Sequence, residues 1–217
     1  MADFTQRRIT MVDTQVRPSD VTNFPVLDAM LSVPREVYAP DDARDVAYAD
    51  GPIPLGGGRQ LLDPRATAKL LQALQPGPHD LVLEIGAATG YTTALLAHMA
   101  EAVVAIEEDE DLVRDAQAAL SEQGVDNAAL SQGALVEGNA KHGPYDAIAI
   151  MGGVQEVPAA ITDQLKEGGH IAAIFMDGPL GEARVGVKSG GRVSWRMEFN
   201  ATAPVLPGFA RVPTFAF

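Results

Sequence analysis

A chain of 217 residues with 47% apolar side chains is long enough to bury one sizeable core and short for two. Its 29 acidic and 16 basic side chains leave a formal charge of −13 with no Lys/Arg cluster, which argues against nucleic acid and anionic membrane as partners. The absence of cysteine removes disulfides, thiolate nucleophiles and cysteine-held metals; His79, His98, His142 and His170 stand singly, so no metal is expected.

From Met1 to Asp20 charges alternate with apolar residues and no apolar core segment occurs, so neither a signal peptide nor a membrane span is expected there, and a cytoplasmic location is expected. Phe4, Ile9, Val12 and Val16 recur at mostly three- and four-residue steps and predict an amphipathic helix ending before Arg17-Pro18. A second helix is predicted from about Phe24 to Val33. The stretch from Val33 to Gln60, rich in Pro, Gly and Asp, reads as loop. Short apolar runs then alternate with helical patterns, the form of an α/β domain with a parallel sheet. Strands are expected at Leu81–Ile85, Ala102–Glu107, Ala128–Ser131, Tyr145–Met151 and His170–Phe175. Helices are expected at about Pro64–Leu74, Tyr91–Met99, Glu110–Gln123 and Val157–Leu165. Ser189-Gly190-Gly191 supplies the turn of a closing hairpin, Glu182–Lys188 with Arg192–Phe199.

The strongest local signal runs from Leu81 to Tyr91, a strand that enters a Gly-containing turn and then a helix, with the pattern E-x-G-x-x-x-G. Gly86 allows a sharp turn and Gly90 allows a ligand or helix to approach the strand end. Glu84 can face the sulfonium and amino group of S-adenosylmethionine, whereas it would repel a diphosphate. The spacing also fails G-x-G-x-x-G, the dinucleotide fingerprint. The next strand ends on Glu107, an acid placed to accept hydrogen bonds from both hydroxyls of an adenosyl ribose. Glu108, Asp109, Glu110 and Asp111 suit the first turn of a helix.

From about Val33 to Phe175 the chain resembles the protein-L-isoaspartate O-methyltransferases. The resemblance lies in ordered blocks: Val33-Pro34-Arg35-Glu36, Pro54-Leu55-Gly56-x-Gly58, Val82-Leu83-Glu84-Ile85-Gly86, Ile106-Glu107, Asn127, Gly133, Pro144 to Ile148, Glu156-x-Pro158 and Gln164-Leu165-x-x-Gly168-Gly169. It implies an α/β, class I (Rossmann-like) S-adenosylmethionine-dependent methyltransferase fold with an N-terminal helical segment and a C-terminal β-hairpin. The domain is expected over residues 1–217, with 1–62 as N-terminal helices and substrate-side loops and 63–217 as the α/β core and hairpin. The implied reaction methylates the carboxylate of isoaspartyl residues in damaged proteins, with S-adenosylmethionine as cofactor and a protein or peptide as partner. The expected cofactor residues are Glu84, Gly86, Gly90 and Glu107, with the backbone of Ala134 and Leu135 serving the adenine. No catalytic acid or base is assigned, because a carboxylate is already ionised at neutral pH.

Two positions depart from the family pattern. Leu62 stands where a hydroxyl residue orients the substrate carboxylate, and Ala134 stands where an acid receives the adenine amino group. Asp63 beside Leu62 would repel a carboxylate if close, yet Asp63-Pro64 also reads as the cap and first residue of a helix. These departures keep two alternatives open: a methyltransferase with another acceptor, including a small molecule, and a non-catalytic cofactor-binding or scaffolding homologue.

Overall fold

The computed structural model describes residues 3–211; the outermost residues of the expected 1–217 domain lie outside them. The N-terminal part holds α1 (Phe4–Met11) and α2 (Phe24–Ser32). The chain does not break at Arg17-Pro18: a wider π turn over Val12–Val16 and a 3-10 turn over Arg17–Ser19 carry it to Asp20, which takes a left-handed conformation. Proline fits there because it falls in a first helical turn, where its missing N–H is not needed. Residues 33–60 are mostly turns, as expected. They also include a short hairpin that glycine content had masked, β1 (Ile53–Gly56) with β2 (Arg59–Leu61), joined through Gly57-Gly58 at positive φ.

The main body is a seven-stranded sheet in the order β5-β4-β3-β6-β7-β8-β9. Its strands are β3 (Leu81–Ile85), β4 (Ala102–Glu107), β5 (Ala128–Gln132), β6 (Tyr145–Val154), β7 (Leu165–Phe175), β8 (Glu182–Ser189) and β9 (Arg192–Asn200). The first five pair in parallel and the last two add antiparallel, which places the hairpin at one edge. The sheet is flanked by α3 (Pro64–Leu74), α4 (Tyr91–Met99) and α5 (Glu110–Glu122). The helix expected over Val157–Leu165 shrinks to one turn, α6 (Ala159–Thr162), because Leu165 already begins β7 and pairs with Tyr145.

Apolar residues of the N-terminal helices, among them Met11, Val12, Val26 and Met30, share one buried cluster with Leu70, Leu71 and Leu95 of α3 and α4. The opposite face of the sheet is closed by a second cluster that joins Leu83, Ile85 and Ile148 to Leu206 and Phe209 from the C-terminal segment. No helix among the described residues is long and apolar enough to cross a membrane.

Candidate functional site

In an open parallel sheet the ligand crevice lies outside the carboxyl ends of the strands, where the strand order reverses. Here that point falls between β3 and β6, since the chain runs outward from β3 to β4 and β5 on one side and resumes at β6 on the other. The E-x-G-x-x-x-G turn closes β3 at this point, so Glu84, Gly86 and Glu107 all stand at or next to the crevice.

Gly86 has φ +82, Ala88 φ +51 and Gly90 φ +92, so the turn uses the left-handed region three times, once with a Cβ present. Gly90, at φ +92, caps α4; a Cβ there would lie 3.2 Å from that of Ala116 and 3.3 Å from Leu120 Cγ, so it admits α5 closely.

Glu84 is fully buried. Thr93 Oγ1 of α4 donates to its Oε2, while its Oε1 is buried without a partner. Burial pushes its carboxyl up to about 8, with nearby Glu107 adding to the shift and Thr93 and Arg59 opposing it.

Glu107 is also fully buried, and its carboxylate is saturated. Arg59 Nη1 and Nη2 donate to Oε1 and Oε2 at 2.7 Å each. The backbone N–H of Ala88 donates to Oε2 at 2.8 Å, and those of Glu108 and Asp109 donate to Oε1 at 2.8 and 3.2 Å. Asp109 caps α5 through its own carboxylate, and Glu110 and Asp111 occupy the first turn, as their sequence position suggests. Arg59 had no sequence signal beyond a single cation in a Gly-rich turn.

The C-terminal segment also enters the crevice. Gly153 N–H donates to Pro204 O and Leu206 N–H to Gly153 O, both at 2.8 Å, fixing residues 204–206 alongside β6. Leu206 then lies across Gly86 and Gly152: a Cβ on Gly152 would be 2.6 Å from Leu206 Cδ2, and one on Gly86 3.2 Å from Leu206 Cδ1 and from Arg59 Nη2. A separate void of about 10 Å³, room for no more than one water, touches Gly86 among Arg35, Leu62, Tyr91 and Met151 but is lined by none of Glu84, Glu107, Arg59 and Leu206. A roomier cleft of about 560 Å³ lies beyond Thr89, between residues 37–44 and α5, and touches none of Glu84, Gly86 and Glu107.

Ala134 and Leu135 sit on the loop after β5, beside the same crevice. Ala134 is half-buried and Leu135 fully buried among Leu206 and Phe209, and their carbonyls accept from Glu137 and Gly138 N–H at 3.1 and 3.3 Å. On the substrate side Leu62 is 5% exposed and belongs to the core, with its carbonyl accepting from the buried Arg35 at 2.8 Å. Asp63 is the cap of α3, accepting from Ala66 N–H at 2.7 Å. Among the described residues, no group of three His, Asp or Glu side chains is arranged to hold a metal.

The donor set nonetheless suits an adenosyl ligand: an orphaned acid oxygen at Glu84 for a cation, a glycine at the strand end, and a carboxylate with backbone support at Glu107. What does not fit is this arrangement of Arg59 and Leu206, which fills the space.

The family model for protein-L-isoaspartate(D-aspartate) O-methyltransferase matches residues 8–182. The chain is similar to a protein-L-isoaspartate O-methyltransferase of Syntrophus aciditrophicus, 36% identical over 79% of this chain and 78% of that one. A Rhodopseudomonas palustris relative of that name, numbered 1, is 39% identical over 77% of this chain and 69% of its own. Among solved structures, a protein-L-isoaspartate O-methyltransferase superposes with a TM-score of 0.80 at 21% identity, over 94% of this chain and 65% of that one. A Plasmodium falciparum protein described as a member of the same enzyme type, solved with S-adenosyl-L-homocysteine, gives 0.77 at 19% identity over 95% and 99%.

Proposed function

Because the chain belongs to the protein-L-isoaspartate(D-aspartate) O-methyltransferase family, we propose that it transfers the methyl group of S-adenosylmethionine to the carboxylate of isoaspartyl residues in proteins. The observation that carries this reading is the convergence of buried Glu84 and Glu107 on Gly86 at the sheet's reversal point. We take residues 1–217 as one functional unit acting in the cytoplasm on protein or peptide, without nucleic acid or membrane as partner.

The cofactor supplies an electrophilic methyl on a sulfonium. Glu84 Oε1, which has no partner in the protein, suits its ammonium or sulfonium charge; ionising Glu84 for that purpose draws its proton off. Glu107 suits the ribose diol once its present donor Arg59 is exchanged. The backbone of Ala134 and Leu135 borders the place left for the base. The acceptor carboxylate needs no base, so the protein's work is holding the reactants in line and excluding water. Leu62 contributes no hydroxyl to that alignment, and the loss of one oriented donor slows such reactions on the order of a hundredfold.

A second reading, a non-catalytic homologue that keeps the fold, is favoured by the two-pronged hold of Arg59 on Glu107. Incubation with methyl-labelled cofactor and an isoaspartyl peptide separates the two. The first reading expects slow, base-labile labelling of that peptide and none of its aspartyl counterpart. Absence of labelling despite bound cofactor would favour the second.

A further inference from the structure

We infer that the adenosyl crevice is gated by the chain itself: Arg59 and Leu206 occupy it from within, and a ligand enters only as both withdraw. This rests on the adenosyl reading of Glu84 and Glu107. Three observations carry it. Glu107 accepts five hydrogen bonds, two from Arg59 and three from backbone N–H groups, so no capacity remains for a diol. The three backbone donors are part of the turn and stay; only the Arg59 side chain can leave.

Leu206 presses on the two glycines that flank the reversal point, Gly86 and Gly152, where a Cβ would meet it at 3.2 and 2.6 Å. Those glycines leave the backbone bare for close approach, and the chain's own leucine makes that approach.

Both occupants are separable from the sheet. Arg59 belongs to a two-stranded hairpin outside the main sheet, and the backbone of residues 204–206 pairs with β6 through one isolated bridge, the rest of its hold being the side-chain packing of Leu206. Neither withdrawal breaks a ladder of the seven-stranded sheet. The fixed acids and turn are thus preassembled, and affinity is set by the fraction of molecules with the crevice open, the apparent Kd being the intrinsic value divided by that fraction.

The test is calorimetric titration of S-adenosylhomocysteine into the full chain and into Arg59→Gln, Leu206→Ala and the double variant, with melting curves to establish folding. Hydrogen exchange at the Gly153 and Leu206 amides is followed in parallel, because both donate to bonds that hold the segment. The gate predicts at least tenfold tighter binding in the double variant, an intermediate gain in Leu206→Ala, and faster exchange at those two amides when wild type binds ligand. A purely structural Arg59–Glu107 pair predicts a lower Tm for Arg59→Gln without tighter binding, which overturns the gate. Wild type that binds as tightly as the variants with unchanged exchange also overturns it, while the adenosyl reading stands. If no folded variant binds at millimolar ligand, the adenosyl reading fails and the gate falls with it.

Discussion

Glu84 shows how one buried atom ties stability to ligand chemistry. Its carboxyl is raised from an ordinary 4.5 to about 8, chiefly by burial, so the folded protein holds a proton there that the unfolded chain has released. Stability from this group is therefore fully present below about 4.5 and is lost progressively as the pH rises to about 8, above which the loss is complete. Glu84→Gln keeps the shape and the acceptor for Thr93 but cannot ionise. Thermal melts should place the variant close to wild type near pH 5 and clearly above it near pH 8.5. An equal Tm difference at both values would show that the carboxyl is not held neutral in the fold. The sequence pattern placed Glu84 at the crevice, but its partner Thr93 and its orphaned oxygen depend on how α4 packs on β3, which no local pattern encodes.

Among the elements, α3, β3, α4 and β4 begin and end where the sequence predicts, because each combines a strong periodicity with a boundary signal: Asp63-Pro64 at the start of α3, Gly86 after β3, Gly90 before α4. Asp63 acts as a cap rather than a repelling charge in the pocket, and Asp63→Ala should lower stability by about 0.5–2 kcal/mol in denaturant melts. A change below a few tenths would mean that water replaces the cap at no cost. Leu62 beside it is a core residue, so introducing a hydroxyl there loses apolar packing and buries a polar group as well as changing the pocket. The elements that escaped prediction are those without a period. The β1–β2 hairpin is short and glycine-rich, and the segment after β9 is irregular, with Pro204, Pro207 and Gly208 punctuating it. Those two pieces supply Arg59 and Leu206. The Arg59–Glu107 pair spans 48 residues, a separation at which single-sequence patterns are silent.

At the scale of the whole molecule, one apolar cluster joins the N-terminal helices to one face of the sheet and another joins the C-terminal segment to the other. The crevice lies where the second cluster meets the strand ends, so the residues that complete the core there also fill the crevice. The family resemblance read from ordered sequence blocks agrees with the matching family model and with the sheet; the closed crevice is what the folded arrangement adds. The central claim is that Glu84, Gly86 and Glu107 form an adenosyl site, and it is tested most directly by amide NMR during titration with S-adenosylhomocysteine. The N–H groups of Ala88, Glu108 and Asp109 all donate to Glu107 and report directly on that carboxylate. The account predicts saturable shifts at these three amides and at Gly86, accompanied by Gly153 and Leu206 as the segment moves. Saturable shifts confined to other parts of the chain, or none at millimolar ligand, would contradict it.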